Sequence, residues 1–243
     1  MNPNNRRLMR DHWESEASFY TEGRRISAAD TRAFKLLELE GVNQLLEIGF
    51  GSGVVAAKIL DIYPNLTYSG VDFASKFIRT ARAKLTNRAH LVQGDAYSLP
   101  FRSAAFQRVL EMDAIHHFPR EELPAVIREV VRVIKPGGLF LSVEDWALPP
   151  VSEREVLLYN LQKKRVLTRT GREYHPFEDE WMTCFKTAGL SILTVEHAAR
   201  PFSFDKLVEL EDREAMKDVA RLKQLWGEEP VTTTMSLFLC RKN

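Results

Sequence analysis

The sequence predicts an α/β fold in which a parallel β-sheet is wound on both faces by helices. Three observations carry that expectation. Between residues 27 and 145, short β-branched runs alternate with amphipathic stretches, the pattern left by parallel strands that cross over through helices. The first of those runs ends in LLEIGFGSG, residues 45–53, where glycine occupies every second position from 49 onward. The 243 residues are 44% hydrophobic, enough for one large domain to bury most of its apolar surface.

Taken in order, residues 1–40 precede the sheet and read as a lid; DHWESEASFY within them carries Trp13, Phe19 and Tyr20, which either fold over a site or pack on the first helix. A core of residues 41–148 follows, with strands QLLEIG (44–49), TYSGVD (67–72), AHLVQG (89–94), QRVLEM (107–112) and GLFLSVE (138–144). Between them, Ser52 is expected to open a helix after the glycines and Ser75 to cap SKFIRTARAKL. EELPAVIREVVRVI sets Leu123, Val126, Ile127, Val130 and Ile134 on one face, with Pro136 as its stop. Residues 149–177 lack a strand pattern and read as a helical insert on the substrate side. In residues 178–243, EDEWMTCFKTAGL is a helix ended by Gly189, and SILTVEHA (191–198) and VTTTMSLFLC (231–240) are an antiparallel pair closing the sheet. A mostly helical segment around 205–226 joins that pair, and the whole is one domain.

Composition excludes more than it selects. Lys plus Arg number 34 against 33 for Asp plus Glu, so no long-range field draws the chain to nucleic acid or a membrane surface. Two distant cysteines, Cys184 and Cys240, offer no disulfide framework and no zinc spacing. MNPNNRRLMR has no apolar core behind its basic residues, and no run reaches the roughly 20 apolar residues of a membrane helix. A cytoplasmic location is expected.

Glycines after a strand let backbone approach a ligand where any Cβ would collide. The dinucleotide spacing is G-x-G-x-x-G, whereas Gly49, Gly51 and Gly53 give G-x-G-x-G with Val54 next. Asp72 ends the second strand, where its carboxylate can accept both hydroxyls of a ribose. Asp95 follows the third strand and can accept from an adenine amino group. With Glu47, three acids would repel phosphates and favour a sulfonium. S-adenosylmethionine has that charge.

On these residues the chain resembles the class I S-adenosylmethionine-dependent methyltransferases over about residues 40–145. LLEIGFGSG is similar to the family's first motif, GVDFA to its ribose-binding motif and GDAYSLPF to its adenine-binding motif; RVLEMDAIHHF and VIKPGGLFLSV resemble its fourth and fifth strands. The resemblance implies a Rossmann-like, seven-stranded sheet, mostly parallel, with an antiparallel last strand inserted between the fifth and sixth. It implies that Gly49, Gly51 and Gly53 pass beside the methionine end of S-adenosyl-L-methionine and that Asp72 holds the ribose. Phe73 would flank the adenine and Asp95 and Ala96 reach its amino edge. Glu47 would meet the cofactor's amino group or order the turn, and Met112, at the end of the fourth strand, joins the binding set. The product would be S-adenosyl-L-homocysteine.

Methyl transfer needs alignment above all, and a base only for a protonated acceptor. His116 and His117, after the fourth strand, are the candidates, either as base or as pocket lining. Glu144 and Asp145 face the same crevice, with capping or solvated-loop roles favoured, and no metal triad is evident among these residues. Tyr20, Trp146, Tyr159 and Tyr174 are expected on the substrate side, with His175, Phe177, Phe202 and Phe204 near them. Lys163, Lys164, Arg165, Arg169 and Arg172 make a basic stretch suited to an anion or, failing that, to solvent. The leading expectation is methylation of O, N or C on a small-molecule metabolite. The rivals are an RNA or protein methyltransferase using the basic stretch, a non-catalytic S-adenosylmethionine-binding protein and, last, a nicotinamide dehydrogenase. No N-P-P-[YFW] tetrapeptide or Pro-Cys pair is present to direct the chemistry elsewhere.

Overall fold

The computed structural model describes residues 3–170, 175–202, 204, 213–229 and 231–243. Helices α1 (Pro3–Gly23) and α2 (Ala28–Leu36) come first, followed by β1 (Gln44–Ile48), α3 (Val54–Ile62), β2 (Thr67–Asp72), α4 (Ser75–Leu85) and β3 (Ala89–Gln93). Next are β4 (Phe106–Met112), a 3-10 turn at Ile115–His117, α5 (Leu123–Val133) and β5 (Ile134–Asp145). Helices α6 (Glu153–Thr170) and α7 (Glu178–Thr187), strand β6 (Leu190–Pro201), α8 (Arg213–Trp226) and β7 (Thr232–Lys242) complete the chain. The sheet order is β3-β2-β1-β4-β5-β7-β6, with β1 to β5 parallel and β7 antiparallel to both neighbours. The expected seven-stranded, mostly parallel sheet is therefore present. Its order reverses between β1 and β4, and such a switch point opens a crevice beyond the carboxyl ends of the strands.

Successive strand residues feed opposite layers. Leu45 packs with Tyr68, Ile59 and Phe34 on one face; Leu46 packs with Val126, Ile127 and Phe140 on the other. Each fully buried side chain of this size contributes about 1.5–3 kcal/mol of transfer free energy, so this alternation holds the strand ends, and the crevice, in place. A third cluster joins α6 to α8 through Trp146, Leu158, Leu161, Leu222 and Trp226.

Three expected helix boundaries are corrected. Helix α3 opens at Gly53 rather than Ser52: Gly53 has φ +72°, a left-handed conformation, and makes no side-chain cap bond. Ser75 is the first helical residue of α4, not its cap; the N–H groups of Ser75 and Lys76 donate instead to the Glu14 carboxylate of α1. Pro136 does not stop α5, which ends at Val133. Ile134 already pairs with Phe106, and Pro136 lies where the β4–β5 register shifts, an irregularity that tolerates a residue lacking N–H.

Candidate active site

Above the switch point lies a cavity lined by the glycine turn, the ends of β2 to β5 and the inner face of α1. At Gly49, φ is +72° and a Cβ would stand 2.4 Å from the Cβ of Ala114, so only glycine lets the turn pass the loop after β4. Gly51, φ +54°, faces the cavity beneath Tyr20, whose ring would be 3.5 Å from a Cβ there. Gly53 does not line the cavity; a Cβ would lie 2.9 Å from that of Ala81, so its role is close packing of α3 on α4.

Asp72 ties two turns together. Its Oδ2 accepts from Gly51 N–H and its Oδ1 from Ala74 N–H, both at 3.0 Å, and the Phe73 N–H also points to it, which leaves acceptor capacity for a ligand hydroxyl. Burial pushes its carboxyl up to about 6, against the pull of those N–H groups. Phe73, Ala96, Met112 and Asp95 line the same wall. Asp95 accepts from Tyr97 N–H (3.0 Å) and lies 3.5 Å from the Arg6 guanidinium, itself stacked over the Tyr97 ring. Burial raises the Asp95 carboxyl, and Arg6 and Arg10 oppose that rise.

Glu47 lies elsewhere. It points into the layer below with Leu45, is 2% exposed and accepts from the Tyr68 hydroxyl, and it does not line the cavity. Burial pushes its carboxyl up to about 8. Its hydrogen bond joins β1 to β2 at Tyr68.

The far wall is built around the 3-10 turn. Glu111, fully buried on β4, accepts from Ala114 N–H and Ile115 N–H (2.6 and 3.0 Å), fixing the backbone that presents His116 and His117. Both imidazoles line the cavity. His116 Nδ1 is 2.6 Å from Glu144 Oε2. Glu144 is fully buried at the end of β5, not in a solvated loop as expected, while its neighbour Asp145 reaches the cavity. Burial raises both Glu111 and Glu144 well above the usual carboxylate range, and repulsion by Glu144 and Asp113 respectively adds to it. Burial, with His116, His175 and His12 nearby, holds His117 well below the usual imidazole range.

The substrate-side expectations divide. Tyr20 lines the cavity, as do Trp13, Phe19 and Phe202. Trp146 and Tyr159 do not; they meet at 5.5 Å in the cluster between α6 and α8. Tyr174 and Arg172 lie outside the described residues, as do the side chains of Arg165 and Arg169. Lys163 is placed over the Tyr159 ring, 5.8 Å away, and Phe204 against Trp226. Sequence reasoning missed Arg200, which lines the cavity half-buried and in an ion pair with Asp113, and Gln162 and Thr233, which also line it. It also expected no metal-ligand set, yet the fold brings His116, Asp145 and His175 together, one ligand atom from each within 4.8 Å of the others; Asp113, His116 and Glu144 make a second such group.

A family model described as a methyltransferase domain matches residues 45–138. Over 109 residues the chain is 39% identical to the fatty-acid O-methyltransferase of Mycolicibacterium smegmatis, covering 44% of this chain and 38% of the relative. It is 28% identical over 148 residues to the 27-O-demethylrifamycin SV methyltransferase of Amycolatopsis mediterranei, covering 59% and 52%. The chain thus spans about half or less of those relatives' lengths. Among solved structures, the BH2331 protein of Bacillus halodurans aligns with TM-score 0.70 at 21% identity, over 89% of this chain and 99% of that one. The [4+2]-cyclase SpnF aligns with TM-score 0.61 at 20% identity, over 88% and 81%. Over its cofactor core the chain is thus similar to class I S-adenosylmethionine-dependent methyltransferases. Among the described residues, no helix is long and apolar enough to cross a membrane.

Proposed function

We propose that the chain transfers the methyl group of S-adenosylmethionine to a small, largely apolar metabolite through O, N or C. The observation that carries this reading is a single cavity with two unlike walls: bare backbone and a buried carboxylate at Gly49, Gly51 and Asp72, facing imidazoles and aromatic rings at His116, His117 and Tyr20. Those groups fit the cofactor, since the Asp72 carboxylate keeps acceptor capacity for a ribose hydroxyl and Gly51 leaves open the space a side chain would fill. When bound, the cofactor supplies a methyl activated by positive sulfur.

The chain's own residues hold, align and exclude water. Phe73 flanks the adenine and Asp95 and Ala96 meet its amino edge, while α1 covers the opening with Trp13 and Tyr20. His116 and His117 face the acceptor as wall or as base. The relatives named above carry fatty acid and rifamycin in their names, and an apolar acceptor suits a wall of Tyr20, Phe19 and Phe202. The division 1–40, 41–148, 149–177 and 178–243 follows the same plan of cover, cofactor core, insert and closing strands. The two cysteines are unbridged, which supports a cytoplasmic location.

A second reading, cofactor binding without methyl transfer, draws support from the fold shared with a cyclase. Isothermal calorimetry with S-adenosylmethionine and its demethylated product, followed by an acceptor screen with labelled methyl, separates the two. Tight binding with transfer to an apolar hydroxyl, amine or carbon is expected. No binding of either form sinks the first reading; binding without transfer to any acceptor favours the second. Activity that collapses with rising salt would point instead to an RNA acceptor.

A further inference from the structure

The wall opposite the glycine turn gathers metal-ligating groups from three separate elements. We propose that His116, Asp145 and His175 form a site for one first-row divalent metal ion of the zinc or cobalt(II) kind, with an open coordination position towards the cavity. His116 comes from the turn after β4, Asp145 from the end of β5, and His175 from the segment leading into α7. One ligand atom from each lies within 4.8 Å of the other two. A tetrahedral ion about 2.0–2.2 Å from each ligand sets them about 3.3–3.6 Å apart, so small side-chain rotations close the set. The Glu178 N–H donates to Ala147 O (2.9 Å), which holds the His175 segment against the end of β5.

Two further observations point to a cation rather than to a chance grouping. Asp145 Oδ1 is buried and makes no hydrogen bond, although His175 Nδ1 is 3.5 Å away. A buried carboxylate oxygen without a hydrogen bond carries a desolvation cost that coordination removes. Behind His116, Glu144 Oε2 holds Nδ1 at 2.6 Å. This is the carboxylate–imidazole arrangement that orients metal-ligating histidines, and it directs Nε2 to the ion. The His116 and His175 rings are 4.6 Å apart and inclined by only 35°.

The donor set selects the ion. Two imidazoles and one carboxylate suit zinc, cobalt(II) or nickel, whereas magnesium and calcium prefer all-oxygen surroundings. Three protein ligands leave a fourth position open. Because His116 and Asp145 both line the cavity, that position faces the acceptor, where it would take an oxygen or nitrogen of the substrate. This last point rests on the methyl-transfer reading; the metal site itself does not. Coordination through Nε2 also removes His116 from a general-base role.

The test uses the full chain, stripped with chelator and titrated with cobalt(II) alone. A visible d–d spectrum saturating at one ion per chain, displaced by zinc, is expected. His175→Ala and the isosteric Asp145→Asn should abolish it, and Glu144→Gln should weaken affinity by about 10- to 100-fold. His90→Ala, exposed on β3, should leave the spectrum unchanged, and circular dichroism checks that each variant is folded. No saturable spectrum in the wild type, or one that survives in folded His175→Ala and Asp145→Asn, overturns the site. Cofactor calorimetry on the same samples keeps the readings apart. Cofactor binding without cobalt binding defeats only the metal site, and cobalt binding without cofactor binding defeats only the methyl-transfer reading.

Discussion

Along the glycine wall, Gly49, Gly51, Asp72, Phe73, Asp95 and Ala96 come from the carboxyl ends of three successive strands, β1 to β3, and the turns that follow them. Along the histidine wall, His116, Asp145, Arg200 and Thr233 come from elements spread over the rest of the chain. The first wall is made by constraints on backbone, and those are local. The second is made by side chains that meet only after β7 has inserted between β5 and β6.

If the glycine wall depends on backbone, its most damaging change is a side chain there. Gly49→Val should abolish cofactor binding altogether, because its Cβ meets Ala114 and its φ is left-handed; a variant that binds normally in calorimetry would break the contrast. Trp146→Ala tests the other wall's boundary. Since Trp146 packs between α6 and α8, the variant should lose about 3–5 kcal/mol of stability with cofactor affinity unchanged. A lost acceptor preference at unchanged stability would return Trp146 to the substrate site.

Asp72→Ala should weaken cofactor binding by about 1–2 kcal/mol, the scale of hydrogen bonds to an ionised group. In the wild type that bond carries a pH signature. Burial raises the Asp72 carboxyl to about 6, so the free protein favours its protonated form below that pH, while ribose binding favours the carboxylate. Cofactor affinity should therefore fall as pH drops through about 6 and level off above it, and Asp72→Asn should flatten that dependence. The smallest effect is expected at Glu14→Ala. Removing its carboxylate from the α4 N-terminus should cost about 0.5–1 kcal/mol, read as a small drop in melting temperature and faster proteolysis of α1.

Legibility followed the same division. The strands and the glycine turn could be read because a period of two and a φ near +70° each leave a mark on a few adjacent residues. Tyr20 could be read as facing the cavity only as one of several aromatics, since Trp13 and Trp146 have the same composition signal and opposite fates. Glu47 could not be separated from Asp72 by sequence: both end in acids beside glycines, but the strand alternation sends Glu47 into the layer below. His175 and Asp145 stand thirty residues apart in sequence, and only the folded chain brings them to 3.5 Å, with the Glu178–Ala147 hydrogen bond joining their segments. The Ser75 cap failed for the same reason, because its acceptor comes from Glu14, sixty-one residues earlier.

The place of β7 also has a consequence for how the chain reaches this structure. During synthesis β5 and β6 emerge first; β5 can pair on one side with β4, but its other edge and the whole of β6 lack a partner until Thr232–Lys242 follows. Until then β5 offers an open edge bearing Leu139, Phe140, Leu141 and Val143, all apolar, and an open apolar edge invites pairing with another chain. A ribosome stalled before residue 232 would release a product with a finished glycine turn and an unfinished sheet, one prone to aggregate.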